Sequence, residues 1–274
     1  MPELSPIPVL PPEVRRDRLL ALVLEEGFVR VGDASEVFGV SEVTLRSDLT
    51  ALEAAGALRR VHGGAMAVRG EGRESPVEAT AEREAEVKGA IGRRAAALVT
   101  SGSSILLDVG STTLAVARAL VERADLSELT VITNGLSIAL ALAPAIPRFT
   151  VVVTGGTLRP LQHSLINPLA TQTLAALHAD LAILGCNGID HQGRVTNLNL
   201  PEAEVKRAML AAADTRILVA DGSKAAKSHL GMIAELSEFA TLVTGGPGVD
   251  ALRASAAAAG TRLVVADERL PPAA

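Results

Sequence analysis

Two hydrophobic periods divide the chain. In its first part Val14, Leu19, Leu22 and Val23 recur at helical spacing and predict a helix that Gly27 ends. Asp33 is placed to cap a short second helix over 34–38, Gly39 supplies a turn, and Ser41 is placed to cap a third helix reaching about Ala55. On that helix Leu45, Leu49 and Leu52 stand at i, i+4 and i+7 and face a core, which leaves Ser41, Glu42, Thr44, Arg46 and Ser47 outside. Residues 56–65 read as a strand and turn with a basic shoulder of Arg59, Arg60 and His62. Beyond about residue 75 the period changes. Apolar runs of strand length at 105–107, 131–132, 151–153, 181–184, 217–219, 242–243 and 263–265 alternate with helical stretches, the pattern of an α/β domain on a mostly parallel sheet. The expected organisation is a disordered arm over 1–11, a small helical domain over 12–67 with helix-turn-helix at 28–47, a charged linker over 68–80, and a larger domain over 81–270.

Composition narrows the function classes. With 274 residues, 48% hydrophobic and 21% charged, the chain has material for two globular cores. The one cysteine, Cys186, forms no internal disulfide, and the N-terminus lacks a basic region followed by an apolar run, so a cytoplasmic protein is expected. No apolar window approaches the ~20 residues of a membrane helix. Trp and Tyr are absent and Phe numbers four, which leaves aromatic stacking on unpaired bases essentially unavailable. The net charge of −5 argues against a protein that coats polyanions, so any nucleic-acid contact must be local. His163, His178, His191 and His229 lack metal-ligand spacing, and no metal or cofactor is expected. Lysine is scarce: Lys88, Lys206, Lys224 and Lys227 are all there are.

The outer, N-terminal part of the third helix is where a recognition helix meets base edges. Arg46 offers a bidentate fork to guanine, Ser41, Thr44 and Ser47 suit bases or phosphates, and Arg59, Arg60 and His62 suit the backbone. In the larger domain, small polar residues follow successive apolar runs: Asp108-Val-Gly-Ser-Thr-Thr113, Thr133-Asn-Gly135, Thr154-Gly-Gly156, Gly185-Cys-Asn-Gly-Ile-Asp190 and Asp221-Gly-Ser-Lys224. Carboxyl ends of parallel strands share one edge, so these loops converge on one small-molecule site. Gly110, Ser111, Thr112 and Thr113 open a helix whose free N–H groups favour an anion, and Lys206 or Lys224 would neutralise it. Neither a Walker loop nor a GxGxxG follows a strand, which sets aside nucleotide hydrolysis and NAD.

The motifs Phe38-Gly-Val-Ser-Glu-Val-Thr-Leu-Arg46, Asp48-Leu49, Leu52-Glu53 and Leu58-Arg-Arg-Val-His-Gly-Gly-Ala65 resemble the winged helix-turn-helix of the DeoR family of bacterial transcriptional regulators. Asp108-x-Gly-Ser-Thr-Thr113, Asn134, Gly185-x-x-Gly-Ile-Asp190, Glu204-Val-Lys206 and Asp221-x-Ser-Lys224 resemble its sugar-phosphate sensor, a domain similar in fold to ribose-5-phosphate isomerase. The resemblance implies a repressor of carbohydrate genes that binds double-stranded operator DNA as a homodimer or higher oligomer. It implies a phosphorylated sugar effector held by Asp108, Gly110, Ser111, Thr112, Thr113, Asn134, Gly188, Asp190, Lys206 and Lys224, to which the converging loops add Gly135, Gly155, Gly156 and Asn187. Two departures stand out: Ser47 where the family usually has a second arginine, and Val243-Thr-Gly245 where it tends to carry an aspartate. The rival reading is an isomerase-like enzyme with Asp108, Asp190, Glu204 or Asp221 as base.

Overall fold

The computed structural model describes residues 10–26, 28–54, 58–61, 63–67, 76–82 and 84–266. The chain divides into two compact units, Met1–Arg73 and Glu74–Ala274. Of the arm, only Leu10 and Pro11 fall among the described residues, and Gly27, Ala55 and His62 fall outside them.

In the first unit α1 (Pro12–Glu26), β1 (Phe28–Arg30), α2 (Val31–Phe38) and α3 (Glu42–Ala54) precede a β-ribbon of β2 (Leu58–Val61) and β3 (Gly64–Ala67). The strands form an antiparallel sheet in the order β1-β3-β2. Leu45, Leu49 and Leu52 join Leu19, Val23, Val29, Val31 and Leu58 in one core, as their spacing requires. Ser41 caps α3, its Oγ accepting the Thr44 N–H at 3.2 Å. The expected cap of α2 is corrected: the helix starts at Val31 after an extended Arg30, and Asp33 lies within its first turn. Pairing of Val29 with Ala65 draws Val29 into the core, so the chain enters α2 straight from β1, a strand too short to show as a pattern. Asp48 on α3 is buried against Arg15 at 2.6 Å, with Arg16 at 3.5 Å, and ties α3 to α1.

The second unit begins with α4 (Val77–Glu82) and α5 (Ala85–Ala96). The helix α4 lies largely inside the span expected to be linker, because Val77 finds a buried place that its isolated position in the sequence does not advertise. Next come β4 (Ser104–Leu107), α6 (Ser111–Glu122), β5 (Leu129–Thr133), α7 (Leu136–Leu142), β6 (Phe149–Val153), β7 (Thr157–Arg159), β8 (Ser164–Ile166) and α8 (Leu169–Ala175). The remainder is β9 (Ala179–Gly185), β10 (Gly188–Ile189), β11 (Arg194–Asn197), α9 (Leu200–Ala211), β12 (Ala213–Asp221), β13 (Gly231–Glu235), β14 (Thr241–Gly245), α10 (Val249–Ala259) and β15 (Arg262–Val265).

All seven apolar runs are strands of one parallel sheet, ordered β15-β14-β12-β9-β4-β5-β6. Alternate strand residues feed two cores: Ile105 and Leu107 pack with α5, α6 and α7, whereas Leu106, Leu184 and Leu218 pack with α8, α9 and α10. Helices thus cover both faces, which is why the inner strands read as unbroken apolar runs. The hairpin β7–β8 and the antiparallel sheet β10-β11-β13 are additions that the periodicity does not predict. Among the described residues no helix is long and apolar enough to cross a membrane.

Candidate functional site

The strand order reverses at β4: β5 and β6 lie to one side of it, and β9, β12, β14 and β15 to the other. At such a reversal the loops leaving adjacent strands diverge and open a crevice at the carboxyl edge. Asp108 spans it. Its N–H donates to the Ile183 carbonyl at 3.1 Å, and its Oδ2 accepts the Gly185 N–H at 3.0 Å. The same Oδ2 accepts Lys206 Nζ from α9, which also donates to the Gly185 carbonyl at 3.2 Å. Both side chains are buried, and burial pushes the Asp108 carboxyl up against the pull of the Lys206 charge.

Among the described residues the remaining oxygen, Asp108 Oδ1, is buried without a partner, as are Asn134 Oδ1, Thr244 Oγ1, Asn167 Oδ1 and Arg216 Nε. Asp108 and Asn134 follow the adjacent strands β4 and β5 at the carboxyl edge of the sheet, whereas Thr244 lies near the end of β14, with β9 and β12 between it and β4. Buried polar atoms are nearly always hydrogen-bonded, so Asp108 Oδ1 and Asn134 Oδ1, on adjacent strand ends, are open to the donors of a ligand. Asn134 Nδ2 is already used on the Leu165 carbonyl at 3.2 Å, and the Gly135 N–H on Thr133 Oγ1 at 3.0 Å. Gly110 precedes α6 with φ of 138°, a conformation that suits glycine, and Thr113 Oγ1 donates back to its carbonyl at 2.9 Å. The first N–H groups of α6, at Ser111, Thr112 and Thr113, thus face the helix end without i−4 acceptors.

Other predicted residues have different company. Gly155 and Gly156 turn the chain from β6 into β7, and a Cβ at Gly156 would lie 2.3 Å from the Ile166 carbonyl oxygen. Asn187 Oδ1 accepts the Leu198 N–H at 2.9 Å, and Gly188 passes so close to Lys227 that a Cβ would lie 2.4 Å from its carbonyl oxygen. Asp190 accepts the Gln192 N–H at 2.9 Å, the Arg194 N–H at 3.0 Å and Arg194 Nε at 2.7 Å, closing the β10–β11 turn. Burial alone would raise its carboxyl, but these donors hold it below the usual range. Lys224 Nζ lies 3.9 Å from Asp221 Oδ2, beyond hydrogen-bond reach.

The sequence reading overlooked Glu202. It is buried on α9 one turn before Lys206, accepting Arg159 at 2.9 Å, Ser164 Oγ at 2.6 Å and Asn197 Nδ2 at 3.4 Å. The available sign was its place three residues after Asn199, whose side chain caps the Glu202 N–H at 3.1 Å, with Lys206 four residues further on the same face. Nothing in the sequence marks Arg159 and Ser164, which the β7–β8 hairpin brings in from about forty residues away. Glu204, weighed earlier as a base, is exposed and engaged by Asn167. Cys186 sits among these charges with its thiol pushed up to about 12 by burial, against the lowering pull of Lys224 and Lys206, and is no nucleophile.

On the first unit Ser41, Arg46 and Ser47 are exposed along the start of α3, with Thr44 half-buried. Arg46 Nη2 lies 2.5 Å from Glu42 Oε2, an exposed i, i+4 pair of the kind that holds a side chain by only ~0.5 kcal/mol. Arg60 donates through Nη1 to Thr50 Oγ1 at 2.8 Å and through its backbone N–H to Glu53 at 2.8 Å, joining β2 to α3. Arg59 stands in β2 opposite Met66.

A helix-turn-helix unit followed by an α/β unit with a strand-end crevice is the build of a regulator of transcription. Residues 15–70 match the DeoR-like helix-turn-helix domain and residues 83–246 the DeoR C terminal sensor domain, and the chain belongs to the DeoR family. It is 34% identical to the transcriptional repressor AccR of Agrobacterium fabrum over 84% of this chain and 88% of that one. It is 34% identical to the repressor CsqR of Escherichia coli K12 over 83% and 86%, and 30% identical to that organism's glycerol-3-phosphate regulon repressor over 85% and 90%. These relatives are regulators rather than enzymes, and the isomerase-like reading is set aside. Among solved structures, ribose 5-phosphate isomerase A from Methanocaldococcus jannaschii aligns with a TM-score of 0.38 at 18% identity, over 52% of this chain and 55% of its own. The sorbitol operon regulator SorC from Klebsiella pneumoniae aligns with a TM-score of 0.41 at 13% identity over 88% and 97%. Similarities this distant carry no argument about function.

Proposed function

We propose that this protein is a sequence-specific repressor of carbohydrate genes whose grip on operator DNA is set by a phosphorylated sugar or polyol. The observation that carries the effector half is the pair of unpartnered buried oxygens, Asp108 Oδ1 and Asn134 Oδ1, on the loops leaving β4 and β5. The phosphate would take the N–H groups and hydroxyls of Ser111, Thr112 and Thr113, with Lys206 or Lys224 balancing its charge. Ligand hydroxyls would satisfy Asp108 Oδ1 and Asn134 Oδ1, while Gly135, Gly155 and Gly156 shape the walls. Asn187, Gly188 and Asp190 would act by holding the β10–β11 hairpin, since their polar atoms are spent there.

For DNA, the reading rests on the exposed start of α3: Arg46 for a base edge, Ser41, Thr44 and Ser47 beside it, and Arg59, Arg60 and His62 on phosphates. A two-fold operator would be met by a homodimer or larger oligomer. The name of the glycerol-3-phosphate regulon repressor supports the carbohydrate setting. The test is a thermal-shift panel of sugar and polyol phosphates beside their dephosphorylated forms, followed by titration of a duplex selected from a random pool. A phosphorylated compound at about 100 times its dissociation constant should stabilise the fold by ~2.7 kcal/mol and change affinity for the duplex. If the dephosphorylated forms act equally well, the phosphate site falls.

A further inference from the structure

The effector reading employs two of the four lysines of this chain, Lys206 and Lys224. Another, Lys88 on α5, is buried at 4% exposure. Its Nζ donates to the Thr80 carbonyl at 2.5 Å, in the body of α4. Its charge also reaches the other way. Burial tends to raise the Asp221 carboxyl, and the charges of Lys224 and Lys88 with the Ser223 bonds bring it below the usual range. Lys88 further lines a cavity of about 160 Å³ between α4, α5 and α6, whose wall includes Arg93, Arg118 and Ser111, the first residue of α6. One buried ammonium therefore holds the α4 backbone while standing within electrostatic reach of the Asp221 loop and against the start of α6.

In the sequence α4 comes immediately after residues 68–75, the stretch leading out of the helix-turn-helix unit. We propose that Lys88 is a positioning residue that couples the state of the strand-end crevice to α4, and so to the chain entering the DNA reader. The inference rests on the effector reading for its biological direction. An anion arriving at the α6 N-terminus, or a change of charge at Asp221, alters the field on the ammonium. A buried ammonium keeps its acceptor, because an unmade bond there is expensive. The Thr80 carbonyl, and the short helix carrying it, thus respond with the lysine.

Hydrogen exchange of α4 in the full-length protein tests the link without any ligand. Four proteins are compared: the parent, Asp221→Asn, Lys88→Met and the double variant, with exchange in β4 and β9 reporting an intact sheet. Asp221→Asn should alter α4 exchange by about threefold or more when Lys88 is present and by less than about 1.5-fold when it is not. Lys88→Arg, which keeps the charge and a donor, should restore the response. If Asp221→Asn disrupts the sheet, Lys224→Met replaces it as the perturbation. Equal responses with and without Lys88, or none in the parent, overturn the proposal.

A second arm uses glycerol 3-phosphate and inorganic phosphate as probes on the selected duplex. Lys88→Met should keep the parent's duplex affinity and its probe-induced thermal shift, while losing the effect of the probe on that affinity. A coupling that survives in Lys88→Met overturns the proposal. The absence of any probe-induced shift in the parent counts instead against the effector reading, and the exchange comparison then decides the Lys88 link alone.

Discussion

Asp108 and Lys206 define each other's chemistry. A buried pair of this kind need not stabilise the fold, yet removing either member strands a charge. Lys206→Met and Asp108→Asn should each cost ~3–5 kcal/mol in urea unfolding, and the double variant should recover most of that loss. The pH dependence separates the carboxylates. Asp108 has its folded value raised above 3.8, so its contribution is fullest below that value and is lost as pH rises through the folded one. Asp190 and Asp221 are lowered, so theirs is present above 3.8 and lost as pH falls through their folded values. On the proposed DNA face, meeting a base would cost Arg46 only its exposed partner Glu42. Arg46→Ala should weaken the selected duplex by ~1–3 kcal/mol and random DNA little, whereas Ser47→Arg should tighten both, as read by fluorescence anisotropy. The position of the loops at strand ends was legible because small polar groups follow the apolar runs, but their structural uses were not: Asp190 closes the β10–β11 turn and Asn187 holds the Leu198 N–H. Glu202 was not, since a glutamate in an amphipathic stretch reads as a solvated face until tertiary contacts from Arg159 and Ser164 enclose it.

At the scale of elements, the seven sheet strands were legible because burial on both faces leaves them no polar alternation. The strands β1, β7, β8 and β10 were not, having two or three residues each and owing their shape to contacts distant in sequence. The start of α2 shows the same limit: Asp33 has the chemistry of a cap, but the core position of Val31 wins. Ser41 is the opposite case, a cap visible in the sequence and made in the fold. Ser41→Ala should lower the stability of the first unit by ~1 kcal/mol, measured by thermal melting, and fray the part of α3 that carries Arg46. Gly156→Ala should weaken the second unit, because φ of 130° and the Ile166 carbonyl both oppose a Cβ there.

For the whole molecule, the change of hydrophobic period near residue 75 made two units legible, while nothing in the periodicity foretold that α4 is helical. If an effector alters duplex affinity by some factor, the duplex must alter effector affinity by the same factor, since both describe one coupling free energy. Calorimetric titration of an identified effector, with and without saturating duplex, should return equal ratios. Lys88→Met should bring both ratios towards one.

The crevice joins residues remote in the chain: Asp108 meets Gly185 across 77 positions and Lys206 across 98. In the helix-turn-helix unit, the Arg15 to Asp48 pair spans 33. During synthesis, then, the DNA reader has all its parts by residue 67, whereas the sensing edge waits for β12 and the loop carrying Lys224. On the effector reading, a chain cut short within this interval possesses a reader and no sensor. On that reading, ribosome stalling or proteolysis in the C-terminal third would leave a fragment whose hold on DNA no longer answers to metabolite.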